Sequence, residues 1–154
     1  LCNYFEWLEK ESGMPVVVAG HPNSELDERF SEKMGDRKVV YGNTAALAMA
    51  TSMVLIHSSM ATSFAVLARK PILSLTSFEL DRSNYGQLIR AMSSALGSPL
   101  VFMDKPGHWR SSDLCHSVDE KKYRAYESDY LRSEKSTESV PWGALIEYIN
   151  RSAV

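Results

Sequence analysis

The sequence has few cysteines and no long hydrophobic run. Cys2 and Cys115 lie far apart and show no CxxC spacing, which indicates a reducing compartment rather than a disulfide framework. No apolar run approaches the roughly 18 to 20 residues of a membrane-spanning helix, and no signal-peptide pattern is present. We therefore expect a cytoplasmic domain without a transmembrane segment.

Strong charge of either sign is also missing. The net charge of -2 gives no electrostatic reason to expect a nucleic-acid partner or direct attraction to a membrane surface. No DxD motif follows a predicted strand, and no group of histidines and cysteines has metal-ligand spacing. We expect neither a metal ion nor a cofactor.

What the sequence does contain is an alternation of short apolar runs with amphipathic segments, over 154 residues that suit one ordinary domain. The apolar runs are residues 16–19, 39–41, 53–56, 71–75 and 100–102. The predicted helices are 2–10, 24–34, 44–50, 60–68, 84–96, 119–133 and 141–149. This alternation predicts an α/β fold with a Rossmann-like parallel sheet, three layers (α/β/α), and a C-terminal helical extension at 112–154.

Two local predictions bear on the architecture. Residues Val16–Ala19 are apolar throughout and mostly β-branched, which is typical of a strand covered on both faces. Residues Thr76–Arg82 are mostly polar and predict a loop.

The stretch Ser52–Leu75 predicts one strand, turn, helix and strand unit. Ser59 is a suitable N-cap, which would leave the N–H groups of Met60, Ala61 and Thr62 available to an anion in front of the helix. The same residues are equally explained as ordinary helix capping. Because the carboxyl ends of parallel strands share one edge, the turns at His21, Asn43, Ser58 and Ser77 should meet there.

Two strand-end motifs carry a resemblance to a known family. A strand ending in Gly20-His21-Pro22, followed by a strand ending in Ser58-Ser59, a helix and Lys70-Pro71, resembles the C-terminal domain of GT-B-fold glycosyltransferases. It is most similar to capsule polysaccharide, polysialic acid and teichoic-acid-type enzymes, which use cytidine-nucleotide donors and have HP and SS motifs. The order of the two motifs is also similar to that in the UDP-N-acetylglucosamine 2-epimerase group. Those enzymes have an Asp-Ser-Gly-Gly turn where this sequence has residues 57–60, His-Ser-Ser-Met.

The resemblance implies a metal-independent glycosyltransferase of surface or capsular polysaccharide biosynthesis. Its substrates would be a CMP-, CDP- or UDP-linked sugar and a glycan acceptor. His21 would hold or protonate the donor phosphate or leaving group, and Ser58 and Ser59 would bind that phosphate. Thr62 and Ser63 would reach the same phosphate or the ribose.

Three further residues are candidate ligand contacts, and each also has an explanation without a ligand. His57 would line the phosphate cleft, or it would simply be hydrogen-bonded at a buried strand end. Glu79 and Asp81 would contact the ribose or base, or they would belong to a solvated loop.

The resemblance also implies that this sequence is a fragment of a longer protein. The chain begins at Leu1 rather than methionine and starts in a helix, whereas a strand and helix precede the histidine-bearing strand in the family. We therefore expect a longer two-domain protein whose first strand and N-terminal acceptor domain are missing here, with an inactive isolated fragment and peripheral membrane association through the full-length protein. The alternative is that the sheet is completed differently. A non-catalytic α/β interaction module, in which His21 and the serines are only turn and cap residues, stays open.

Overall fold

The structure, a computed structural model, describes residues 1–21, 23, 29–35, 37–105 and 108–131. The predicted helix at 141–149, most of the predicted helix at 24–34, the final part of the C-terminal extension and Pro22 of the His-Pro motif lie outside these residues.

The described elements follow one another as helices and strands in near alternation. They are α1 (Cys2–Ser12), β1 (Val18–Gly20), α2 (Phe30–Lys33), β2 (Val39–Tyr41), α3 (Thr44–Ala50), β3 (Val54–Ile56), α4 (Ala61–Leu67), β4 (Ile72–Thr76), α5 (Phe78–Arg82), α6 (Asn84–Leu96), β5 (Leu100–Phe102), a 3-10 helix (Ser111–Cys115), α7 (Glu120–Tyr126) and a π-helical turn (Glu127–Leu131).

All strand pairs among the described residues are parallel. Strands β1 and β2 form one sheet, with Val18 opposite Val39, and strands β3, β4 and β5 form a second sheet in that order. Helices flank these strands, so the predicted α/β, Rossmann-like fold is confirmed.

Strand β4 is the centre of the core, because every one of its five residues is buried. Its alternate side chains point to opposite faces, as the two-residue period of a strand requires. Leu73 and Leu75 pack against Tyr4, Phe5 and Leu8 of α1. On the other face, the buried cluster draws on β3, β4, α4, α6 and α7; its members are Ile56, Ala65, Val66, Ile72, Leu96 and Tyr123. The sheet therefore has helices on both faces.

Two local predictions are corrected. The polar segment 76–82 contains helix α5, because Ser77 Oγ accepts a hydrogen bond from Leu80 N–H (3.1 Å) and caps a helical turn. The apolar run at the start of β1 is not covered on both faces, since Val17 is 38% exposed and Ala19 is also exposed.

One carboxylate links the first sheet to α1. Glu9 Oε2 accepts from Arg37 Nη2 at 2.7 Å, and Glu9 Oε1 accepts from Arg37 Nε at 3.1 Å and from Val16 N–H at 2.9 Å. The Arg37 guanidinium also lies over the Phe5 ring, 5.4 Å from its centroid. Because Glu9 is on α1, Val16 precedes β1 and Arg37 precedes β2, a single side chain ties these three segments together.

We predict that Glu9→Gln lowers the free energy of unfolding by about 1 to 2 kcal/mol at pH 7, because it weakens hydrogen bonds to a charged group. Hydrogen bonds from Arg37 and Val16 hold the pKa of Glu9 below its usual range. This contribution is therefore complete above the unfolded pKa of about 4.3 and is lost as the pH falls through the lower folded pKa. Urea denaturation between pH 2.5 and 7 measures it, with Glu79→Gln, an exposed glutamate on α5, as the control. A difference between Glu9→Gln and the parent chain that grows below pH 4 would contradict this account.

We predict that Gly86→Ala is destabilising by about 1 to 3 kcal/mol, because the new methyl group overpacks the α5–α6 junction. The backbone carbonyl of Asp81 occupies the place that a Cβ at position 86 would take. Gln87→Ala, one residue further along α6 and exposed, should change stability by less than about 0.5 kcal/mol. Thermal denaturation of the two variants compares them directly, and equal melting temperatures would refute the steric explanation.

Candidate functional site

The carboxyl ends of the strands meet within each of the two sheets, whereas the prediction placed all four turns at one edge of a single sheet. Gly20 is paired with Tyr41, so His21 and the turn after β2 are neighbours. In the second sheet Ile56 is paired with Ser74, which brings the turn after β3 beside the last residues of β4.

An apolar groove of about 600 Å³ lies between the two sheets. Its walls include residues 16–19 at the start of β1, residues 52–56 along β3, and Leu1, Phe5 and Leu8 of α1. His57, Ser58 and Ser59 also line it, at the carboxyl end of β3. The groove therefore extends from the segment that leads into β1 to the serine turn, and neither Gly20 nor His21 lines it.

His21 is exposed directly after β1, and its Nδ1 accepts a hydrogen bond from Asn23 N–H at 3.1 Å. An accepting Nδ1 carries no proton, so the neutral ring has its N–H at Nε2. A histidine held in this tautomer donates hydrogen bonds through Nε2, which is the property that the predicted phosphate contact requires.

The serine turn differs from the prediction in where the helix begins. Helix α4 starts at Ala61, and its N-cap position is Met60 rather than Ser59. Ala61 N–H donates to Ser59 Oγ (3.1 Å) and Thr62 N–H donates to Ser59 O (3.1 Å). The prediction that the amides of Ala61 and Thr62 are available to an anion is therefore wrong, because the turn itself uses both.

The residues just before helix α4 have hydrogen-bond donors without partners in the described part of the chain. The backbone N–H groups of Ser58, Ser59 and Met60 donate to no other residue in the described part of the chain, and neither does the Ser58 hydroxyl. Ser59 and Met60 are exposed, and Ser58 is partly buried at the groove. These three consecutive amides and one hydroxyl are hydrogen-bond donors of the kind that bind anions.

Thr62 and Ser63 differ in how far they are buried. Thr62 is fully buried and its hydroxyl donates to Ser59 O at 2.7 Å, so its side chain supports the turn. Ser63 is partly exposed one residue further into α4. Neither residue lines the groove, and we leave Thr62 out of the site that we propose below.

The His57 ring is fixed by the backbone of β4. Its Nδ1 lies 2.9 Å from Leu75 O, and because a carbonyl only accepts, Nδ1 must be the donor. The neutral ring therefore has its lone pair on Nε2, which is an acceptor and not a donor toward a phosphate oxygen. This is the structural role that the sequence left open, although the ring also lines the groove.

Glu79 and Asp81 lie on α5, away from the groove lining. Glu79 is exposed, and Asp81 Oδ2 forms an ion pair with Arg90 on α6. The contact that we predicted between these carboxylates and a ribose or base stays a prediction.

The charge of the residues that line the groove determines which ligands it can accept. No aspartate or glutamate is among the described residues that line the groove, so no carboxylate there repels an anion. The described residues hold no group of three His, Cys, Asp or Glu side chains placed to bind a metal ion. None of their helices is long and apolar enough to cross a bilayer.

Both tyrosines with a perturbed pKa lie in the core, away from this edge. Burial, with a smaller contribution from Asp113, raises the pKa of Tyr4 to about 12. Burial also raises the pKa of Tyr123 to about 12, and its hydroxyl donates to Lys70 O at 2.9 Å. Both groups stay protonated at neutral pH and serve packing.

The sequence did not reveal the groove, which depends on how the two sheets are placed. Its one local signal was that the runs at 16–19 and 53–56 are both fully apolar. Comparison of the chain with family models, with curated proteins and with solved structures gave no match.

We predict that the two serines respond differently to alanine substitution. Ser59→Ala removes the acceptor for Ala61 N–H and should cost about 0.5 to 2 kcal/mol of stability. Ser58→Ala removes a hydroxyl without a partner in the described residues and should change stability by less than about 0.5 kcal/mol. Guanidinium denaturation of the two single variants measures both values. Equal losses would show that Ser58 also supports the turn.

Proposed function

We propose that this domain binds the nucleotide of an activated sugar at the carboxyl edge of its strands, as the donor-binding half of a glycosyltransferase of surface polysaccharide biosynthesis. The observation that carries the proposal is the set of hydrogen-bond donors at residues 58–60 without partners in the described part of the chain, beside a groove shared by β3 and residues 16–19. Ligands of parallel α/β domains commonly bind at this edge.

The serine turn supports the phosphate contact. Three consecutive N–H groups and the Ser58 hydroxyl supply donors, and no carboxylate lines the groove beside them. Hydrogen bonds between N–H groups and a charged oxyanion are stronger than those between neutral groups. The contribution comes from these donors rather than from the dipole of α4, which has only seven residues.

His21 supports the chemical role. Glycosyl transfer places growing negative charge on the departing nucleoside phosphate, and a preorganised donor stabilises that charge more in the transition state than in the ground state. The hydrogen bond from Asn23 to Nδ1 fixes the tautomer that donates through Nε2. We propose that this N–H contacts the phosphate oxygen that leaves with the nucleotide, and that the second half of the active site belongs to the acceptor-binding part of the whole protein.

The test is calorimetric titration of the 154-residue chain and of the longer natural polypeptide with CMP, CDP, UDP and UDP-N-acetylglucosamine. We expect binding by at least one of these nucleotides, with a cytidine nucleotide preferred. Ser58→Ala and His21→Ala should each weaken binding by about 10- to 100-fold, because each removes a hydrogen bond to a charged group.

Matched controls are Ser94→Ala, an exposed serine on α6, and His108→Ala, an exposed histidine outside the groove. Both should leave the affinity unchanged. Preference for UDP over the cytidine nucleotides would favour an epimerase-like enzyme instead. If the folded, longer protein binds none of the four compounds, the proposal fails and the motifs serve only as turn and cap residues.

A further inference from the structure

Helices α3 and α4 share an outer surface that carries no charge. Residues 39–68, which include both helices, contain no aspartate, glutamate, lysine or arginine. A helix on the surface of a domain usually has charged and polar side chains on the side that faces solvent. The outer side of these two helices therefore lacks the charged residues that suit contact with water.

Three large apolar side chains are exposed on this surface. Phe64 and Leu67 lie three residues apart on one side of α4 and are 40% and 54% exposed, and Met49 of α3 is 68% exposed. The opposite side of α4 is buried in the core. Because α3 and α4 pack against each other, we treat these three residues as one patch, the α3–α4 face. Contiguous apolar patches mark interaction sites, whereas single exposed apolar residues do not.

The last described residues of the chain lie against α4. Arg69, two residues after α4, donates through Nη2 to Oε2 of the buried Glu127 at 2.7 Å. Leu131 packs on the same buried cluster as α4, and the π-helical turn contacts that helix. The polypeptide therefore passes into residues 132–154 beside the helix whose outer side is apolar.

The sequence after Leu131 contains a segment that suits this face. Four large apolar residues recur there at the spacing i, i+3, i+4 and i+7, which is one side of a helix: Trp142, Leu145, Ile146 and Ile149. The connection 132–140 is mostly polar and spans up to about 30 Å when extended. Helix α4 is about 10 Å long, so this connection is long enough for the segment to reach any part of the face.

We propose that residues 141–149 form a helix that packs its apolar side on the α3–α4 face. A short tether holds the segment at an effective concentration in the millimolar range, which favours it over a separate protein. The face has no charge with which to select a charged partner, and the segment presents apolar side chains. An isolated helix this short is marginal in water, so the segment needs such a surface in order to fold. The inference involves neither His21 nor residues 58–60 and is independent of the proposed nucleotide site.

Amide hydrogen exchange measured by NMR tests the proposal on the 154-residue chain. The amides of residues 141–149 should exchange at least about tenfold more slowly than in the synthetic peptide 132–154, because the packed helix hydrogen-bonds them. Leu67→Asp places a charge on the α3–α4 face and Ile146→Asp places one on the apolar side of the segment, and each should abolish this protection. In the parent chain, nuclear Overhauser effects should connect the Phe64 ring with methyl groups of the segment.

Matched controls place the same charge elsewhere. Leu88→Asp lies on α6, where Leu88 is 47% exposed, and Ala144→Asp lies on the other side of the predicted helix from Ile146. Both controls should keep the protection of residues 141–149. The amides of β4 should stay protected in all four variants, which shows that the domain is folded.

Three results would overturn the proposal. The first is rapid exchange of residues 141–149 in the parent chain, without contacts to the Phe64 ring. The second is protection that survives both Leu67→Asp and Ile146→Asp, or that is lost equally in the two controls. The third is protection that disappears on dilution together with a dimer seen by analytical ultracentrifugation, because it would assign the face to a second copy of the chain.

Discussion

The ion pair between Glu9 and Arg37 is the contact on which the placement of the first sheet depends. Strands β1 and β3 share no ladder among the described residues, so β1 and β2 are held to the rest of the domain through other contacts. Glu9 bridges Arg37 and Val16 from helix α1, while the buried face of α1 packs on β4. This bridge, together with the packing of Val16 and Met34 on the core, places β1 and therefore His21.

Much of the fold could be predicted because local signals and tertiary structure agree. The unit β3, turn, α4 and β4 follows from one apolar run, a serine turn and a second apolar run, and the structure contains all of it. Helix α5 was missed because its sequence is short and polar, and its first turn is held by hydrogen bonds to Ser77 Oγ and to Asp104 Oδ2, which is distant in sequence. The groove was not predicted because it lies between two sheets, and no local sequence pattern determines how two sheets are placed relative to each other.

The candidate site shows why serine motifs alone could not separate structure from function. Capping a helix and binding a phosphate use the same hydroxyl and amide groups, so the sequence supports both interpretations. The structure separates the two roles. The Ser59 and Thr62 side chains form hydrogen bonds within the turn, whereas the Ser58 hydroxyl and the amides of residues 58–60 have no partner in the described part of the chain. His57 is oriented by Leu75 O and contributes to the turn's shape.

The most direct test of the nucleotide site is to locate the phosphate on the protein. We would record amide and imidazole chemical shifts of the isotope-labelled 154-residue chain during titration with CDP. The account predicts that the largest shifts occur at the amides of residues 58–60 and at the His21 ring, with small shifts on α6 and α7. Saturable shifts confined to another surface, with residues 58–60 unaffected, would contradict it.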